Sequence, residues 1–413
     1  MELKDGKYHL GGINPLELTE KYGSPFYLYS GDEMLENYRE LKSAFHWEKV
    51  SIMYACKALT NTNVLKLFKS LGSGLDAVST EEIQIAKMAG FAGRDIIFTP
   101  SMVGPEDYDF AVQEGVRVNV GDLAALEYMA STYPDYPLCV RINPHVYAGG
   151  HEKISVGHEH SKFGISIYQL EDILQIAKKG GVRIEGLHMH AGSDIQNDNH
   201  YLRAIDVLFE VAESFSELKY IDIGSGFKIP YHQMENPSDL RKIAAHVKAR
   251  VDQLSGILNR EIELLLEPGK LLVSNAGYFV ARVNVVKPSA RKIFLGVNTG
   301  FNHFVRPMLY NAHHEIINLS KPRADKLSYE VVGYICETDT FARERIINRA
   351  EAGDVLAFCN AGAYGFNMSS NYNSKLRTPE VLVFRGKDYL IRRRETLDDL
   401  LSTMVDQELD SGF

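Results

Sequence analysis

The sequence predicts an α/β barrel of eight parallel strands joined to a mainly β second domain, and three observations predict it. From about Lys49 to Leu272 short β-rich runs alternate with helix-like stretches, eight such runs can be counted, and most are too apolar for a sheet with one face in water. Eight such strands with intervening helices suit a closed (β/α)8 TIM-type barrel better than an open doubly wound sheet.

The eight runs are 51–56, 74–78, 95–98, 117–120, 138–142, 184–190, 220–223 and 262–266. One connection is well marked: Ser79-Thr80-Glu81-Glu82 has capping-box spacing, with Ile83, Ala86 and Met88 following in an amphipathic stretch. After Gly277 the texture changes to alternating strands at 278–286, 293–297, 329–335, 354–359 and 380–385. The early Pro25-Phe26-Tyr27-Leu28-Tyr29 strand joins them. The expected domains are therefore a barrel over 30–277 and a discontinuous β-sandwich or barrel-like domain over 1–29 and 278–413. Residues 145–162, with four histidines and several glycines, read as a mobile loop, and their irregular spacing does not make a metal site.

Composition narrows the function classes. With 413 residues, 45% hydrophobic and 24% charged, the chain has the make-up of a soluble globular protein of two domains. Its 45 basic against 54 acidic residues leave a net charge of -9, which disfavours non-specific nucleic acid binding. The start, Met1-Glu2-Leu3-Lys4-Asp5, has no secretory apolar core, and no apolar run approaches the ~20 residues of a membrane helix, so a cytoplasmic small-molecule enzyme is expected. Cys56, Cys139, Cys336 and Cys359 lie far apart without a Cys-x-x-Cys pair, which suggests neither zinc nor disulfides.

The chemistry gathers where the apolar runs end. Lys57, Asp76, Arg141, His190, Ser193, Gly224-Ser225-Gly226 and Glu267 occupy the C-terminal rim, where barrel active sites are built. Singly each has a plain structural explanation. A lysine is usually on the surface, a strand-end glutamate caps a turn, and a histidine fills a core. Asp76 with Arg141 could be an ion pair, and a lone cysteine such as Cys336 is a small hydrophobe. Together they suit a pyridoxal phosphate site, because a lysine amine can condense with a carbonyl cofactor and a glycine-rich turn can cradle a phosphate.

With these motifs, and with Glu267-Pro268-Gly269-Lys270, Cys336-Glu337, Gly362-Ala363-Tyr364 and Arg306-Pro307-Met308-Leu309-Tyr310, the chain resembles the fold-type III pyridoxal phosphate decarboxylases over nearly its whole length, and within them the diaminopimelate decarboxylases. The resemblance implies an alanine racemase-like barrel with a β domain, pyridoxal 5'-phosphate as cofactor, and a homodimer with active sites at its interface. It implies that Lys57 holds the cofactor, Glu267 faces its pyridine nitrogen, His190 stacks on the ring, and Ser193 with Gly224, Ser225 and Gly226 meets the phosphate. Asp76 and Arg141 would order Lys57 and the ring hydroxyl, and Tyr364 would close over the cofactor. Cys336 would be the general acid, while Lys270, Arg306, Tyr310, Glu337 and Tyr364 would meet the substrate.

Racemases of this fold carry arginine where Glu267 stands, so a carboxylate there favours decarboxylation. The expected reaction is conversion of meso-2,6-diaminopimelate to L-lysine and carbon dioxide, the last step of lysine biosynthesis. The alternatives are a decarboxylase of lysine, ornithine, arginine or a D-amino acid, and a non-catalytic regulatory relative. Two departures bear on the substrate: Lys270 stands where the family has arginine, and Cys336-Glu337-Thr338-Asp339-Thr340 replaces Cys-Glu-Ser-Gly-Asp.

Overall fold

The computed structural model describes residues 1–146, 157, 161–195, 197–232 and 234–407. They divide into two compact units, Glu33–Ala276 and Met1–Asp32 with the chain from Gly277 onward. Most of the segment read as a mobile loop, 147–156 and 158–160, lies outside the described residues.

The first unit is the barrel. Its strands are β1 (Val50–Ala55), β2 (Gly74–Ala77), β3 (Ile96–Phe98), β4 (Arg117–Val120), β5 (Leu138–Asn143), β6 (Ile184–His188), β7 (Tyr220–Asp222) and β8 (Glu263–Leu266). All neighbours are parallel, and pairing of β8 with β1 leaves no free edge in the ring. The eight runs expected from the sequence are these strands, displaced by no more than two residues. Burial on both faces explains their continuous apolar texture: β3, β5 and β7 are buried throughout. Met53, Ile97, Cys139 and Tyr220 form one cluster with Leu265. The first four come from alternate strands β1, β3, β5 and β7, which is the layering that fills a barrel with side chains.

The helix after β2 spans Thr80–Met88, and the Ser79 side chain accepts from Glu82 N as its cap. The Glu82 carboxylate returns to Val78 N at 2.8 Å, one residue earlier than a capping box requires. Ile83 and Ala86 are buried, but Met88 is 75% exposed, so it does not belong to the helix's core face.

The second unit is mainly β. Its spine, Gly277–Pro288, pairs antiparallel with Phe26–Ser30, Ile293–Val297 and Val355–Phe358. Phe26–Ser30 also pairs in parallel with Glu380–Phe384, so the early strand lies inside this sheet, buried at every position. Alternation explains how: Phe26, Leu28, Tyr278, Val280, Val381 and Val383 share one core, while Tyr27 turns the other way, its ring 4.6 Å from Phe279. The buried phenols are satisfied, Tyr27 donating to His303 O at 2.6 Å and Tyr29 to Glu380 Oε1 at 2.8 Å.

Besides the three-residue strands Glu2–Lys4, Lys7–His9 and Ile316–Asn318, two longer strands here were not expected, Thr340–Asn348 and Lys387–Arg392. Both lie at the ends of the sheet order. The charges that hide them from a search for apolar alternation also protect an exposed edge. The expected strand 329–335 instead runs Lys326–Val332.

Candidate active site

Beyond β1 the chain makes a single 3-10 turn, Cys56–Ala58, which lifts Lys57 to the barrel rim. Its Nζ lies 2.7 Å from Asp76 Oδ2; the lysine side chain is 38% exposed, the aspartate 0%. Asp76 and Arg141 lie within β2 and β5 rather than beyond them. The ion-pair partner of Asp76 is Lys57, while the guanidinium of buried Arg141 sits 4.8 Å from the Phe163 ring centroid. Burial and the nearby Glu267 charge push Asp76 up to about 7, although Lys57 pulls it down.

The ends of three strands are tied beyond their ladders: Ala55 N donates to Pro268 O at 3.1 Å and Glu267 N to Gly224 O at 2.8 Å. These bonds fix Lys57, Gly224 and Glu267 to one rim. Glu267 is 6% exposed, with His188 Nε2 3.2 Å from its Oε2 and Thr99 Oγ1 3.5 Å from its Oε1. Burial opposes its charge, but the His188 N–H that approaches it and the Lys57 ammonium outweigh burial and hold it below the usual carboxylate range.

After β6, His190 Nδ1 accepts from Ser225 N at 3.4 Å. The histidine retains some exposed surface, yet burial, with the Arg141 and Lys57 cations, pushes it down to about 3, so its ring is neutral at physiological pH. Ser193 is half-buried in the bend that follows. The turn Gly224-Ser225-Gly226 requires its glycines: φ is +61° and +121°, and a Cβ would fall 2.6 Å from Met189 O and 2.1 Å from Gly192 O. This is a tight backbone cradle. Lys270, 8% exposed, is ion-paired with Asp194 and lies 5.1 Å from the Tyr231 ring centroid.

On the second unit, Arg306 is 5% exposed at the start of the short helix Arg306–Tyr310, 5.7 Å from the ring centroid of Tyr310. Tyr364 is half-buried with φ +55°. Cys336 sits beyond the end of its strand, in an exposed bend, and not at the strand end expected. Two neighbours hold it. Asn373 accepts from Cys336 N at 3.2 Å and donates to its Sγ at 3.1 Å, while Tyr372 donates to Glu337 Oε1 at 2.9 Å with its hydroxyl 3.9 Å from Sγ. The bonds to Glu337 and Cys336 push the Tyr372 phenol up to about 12.

The comparisons with known proteins agree with this chemistry. Residues 32–274 match the family described as pyridoxal-dependent decarboxylase, pyridoxal binding domain. A diaminopimelate decarboxylase of Methanothermobacter thermautotrophicus is 38% identical, over 97% of this chain and 96% of its own. The chain belongs to the diaminopimelate decarboxylase family. Among solved structures of that family, one from M. jannaschii in complex with L-lysine superposes with a TM-score of 0.90 at 30% identity, covering 98% of each chain. One from Helicobacter pylori, also complexed with L-lysine, gives 0.88 at 30% identity, covering 94% of this chain and 98% of the other. Fold class and cofactor follow: a TIM-type barrel with a mostly β second domain, dependent on pyridoxal phosphate.

Within this family the Thr338-Asp339 departure has a structural reading. Asp339 is 4% exposed and turns back into its own loop, where Ile335 N donates to Oδ2 at 3.3 Å and Gly333 N to its backbone O at 2.9 Å. A Cβ on Gly333 would lie 1.9 Å from Oδ2, so the glycine makes room for the carboxylate. Asp339→Ala is expected to cost the loop about 1–3 kcal/mol, read as faster amide hydrogen exchange over 333–340. Unchanged exchange there would remove Asp339 from the support of Cys336.

Sequence reasoning did not single out Thr99, Asn119, His188 and Asp222 around Glu267, nor Tyr372 and Asn373 around Cys336. The first four are polar residues in or directly after barrel strands, but nothing in the sequence ties them to Glu267.

Proposed function

We propose that the chain catalyses decarboxylation of meso-2,6-diaminopimelate to L-lysine and carbon dioxide, the final step of lysine biosynthesis. One observation carries the reading: an amine just after β1 and a buried anion after β8 share one barrel rim with a glycine turn too tightly packed to admit a Cβ. The donor set fits pyridoxal phosphate, with an amine for the carbonyl, a carboxylate for the pyridine nitrogen, backbone amides for the phosphate and a neutral imidazole for the ring face. When bound, the cofactor supplies a sink for the electron pair left as carbon dioxide departs.

Lys57 anchors the cofactor, and Asp76, titrating near neutrality, takes the Lys57 proton so that the amine can react. Glu267 would keep the pyridine nitrogen protonated. Ser193, Gly224, Ser225 and Gly226 would hold the phosphate, His190 the ring face and Arg141 the ring hydroxyl, and Tyr364 would cover the cofactor. At the substrate's far end an ammonium and a carboxylate need partners; Glu337 serves the first and Arg306 the second, with Tyr310 and Lys270 nearby in role. The carbon–carbon bond breaks, carbon dioxide leaves, and Cys336 delivers the proton that takes its place. A general acid works best out of bulk water, and Cys336 is exposed in the single chain. This supports a homodimer that covers it. Among the described residues no helix is long and apolar enough to cross a membrane, and the four cysteines are free, as suits a cytoplasmic enzyme.

Asp76 also makes a pH prediction. Its folded pKa is raised from 3.8 to about 7, so its contribution to stability is present below 3.8 and is lost as pH rises through about 7. Urea denaturation of cofactor-free protein across that window should show this decline, and Asp76→Asn should flatten it. Parallel profiles for the two proteins would contradict the raised pKa.

The function is tested by carbon dioxide release from meso-diaminopimelate in parallel with L-lysine, L-ornithine, L-arginine and their D-isomers. Release from meso-diaminopimelate alone, with L-lysine as product, is expected. Release only from another amino acid would keep the cofactor chemistry and overturn the assignment of Arg306 and Glu337.

A further inference from the structure

Near Glu267 lies a further buried carboxyl, one that the proposed reaction does not use. Asp222 ends β7 and is 0% exposed; its Oδ1 accepts from Gly224 N at 2.8 Å, and its Oδ2 has no hydrogen-bond partner. A buried carboxylate oxygen with no donor is costly. A ligand atom each from His188, Asp222 and Glu267 lies within 4.8 Å of the other two, all three residues being buried. If Asp222 is ionised, two anions face each other and Oδ2 has nothing to accept. If Asp222 is the neutral acid, its O–H has Glu267 to donate to, and the orphaned oxygen is satisfied.

We propose that Asp222 is a positioning residue for Glu267: as a neutral carboxylic acid it donates a hydrogen bond to the Glu267 carboxylate, which leaves Glu267 as a single anion aimed at the cofactor. The proposal rests on the reading that Glu267 faces the pyridine nitrogen. The other neighbours of Glu267 are built to match. Asn119 Nδ2 lies 2.8 Å from His188 Nδ1 and 3.4 Å from Thr99 Oγ1, closing a ring through both residues to Glu267. Donation from the amide to Nδ1 places the imidazole proton on Nε2, the atom that approaches Glu267. At 3.2 Å that approach is close but poorly aligned, since Nε2 makes no hydrogen bond of good geometry.

The charges around Asp222 decide its state. Burial first, then Glu267 and Asp76, push it well above the usual carboxylate range, while the Gly224 amide pulls the other way. Arg141 is the nearby cation, and its charge is shared with Glu267 and Asp76. Cys139 and Tyr201, which also face Asp222, are both held neutral by burial. His188 is held neutral as well, burial outweighing the pull of Glu267. The same three side chains could also be offered to a divalent cation. Binding one would require Asp222 to ionise in a pocket already served by Arg141 and Lys57, so a proton is the better occupant.

The test begins without cofactor. The infrared difference between wild type and Asp222→Asn at neutral pH should contain the carbonyl stretch of a protonated carboxylic acid, and its absence overturns the proposal whether or not the protein ever binds pyridoxal phosphate. The proteins are then loaded with pyridoxal phosphate and titrated by visible absorbance, with isotope-labelled cofactor reporting protonation of the ring nitrogen by NMR. Asp222→Asn keeps a donor and should retain the wild-type spectrum and its pH dependence. Asp222→Ala should bind cofactor about ten- to a hundredfold more weakly and lose the ring proton at lower pH. If Asn behaves like Ala, or if neither differs from wild type, Asp222 does not act through Glu267. Stoichiometric binding of zinc chloride by wild type that Asp222→Asn abolishes would replace the proton by a metal and overturn the proposal too. Failure of wild type itself to take up cofactor would instead sink the underlying reading of Glu267.

Discussion

Replacing Lys57 by alanine is expected to abolish covalent capture of pyridoxal phosphate and to lower kcat/KM by about three orders of magnitude or more, about 4 kcal/mol in barrier. The loss should be chemical and not structural. Lys57 sits on a one-turn segment at the barrel rim with 38% of its side chain exposed, outside the strands that build the core. Its partner Asp76 is already raised to about 7 by burial and by Glu267, and without the ammonium it simply holds its proton. The barrel should therefore stay folded, which circular dichroism and the denaturation midpoint check. A variant that still binds cofactor irreversibly would show that another lysine carries it.

The second large effect is expected at Cys336. Cys336→Ala should retain cofactor yet lose about 10²- to 10⁴-fold in turnover, the usual worth of a positioned general acid, or place the proton aberrantly. The support around the thiol makes this a specific claim. Asn373 grips both the backbone and the sulfur of Cys336, and Tyr372 connects it to Glu337. Such fixing matters for an acid that must deliver a proton to one carbon from one face. An unaltered steady-state rate with the same product would remove Cys336 from the mechanism.

Legibility in the sequence followed burial. All eight barrel strands could be read because closure buries both faces, and short, mostly apolar runs of 3–6 residues spaced by helices then have one explanation. Thr340–Asn348 could not, because an edge strand exposes Arg343, Glu344 and its partners to water and its alternation is lost in charge. The same contrast holds at the site. Lys57 and Glu267 stand out as single charged residues just past apolar strands. Asp222, Asn119 and Thr99 do not, because what distinguishes them is a partner brought close only by barrel closure: Thr99 reaches Glu267 across 168 positions. Asp339 illustrates the limit differently. As a departure from a family pattern it looked like a change in the pocket, whereas its carboxylate accepts from the backbone of its own loop.

The central claim is that the ends of the barrel strands build a pyridoxal phosphate site anchored by Lys57. The most direct measurement is to load the protein with pyridoxal phosphate, reduce with borohydride, digest it and locate the modified peptide by mass spectrometry. One equivalent of adduct on the peptide containing Tyr54-Ala55-Cys56-Lys57-Ala58 is the predicted result. Adduct on another lysine, or scattered over surface lysines with Lys57 unmodified, would contradict it.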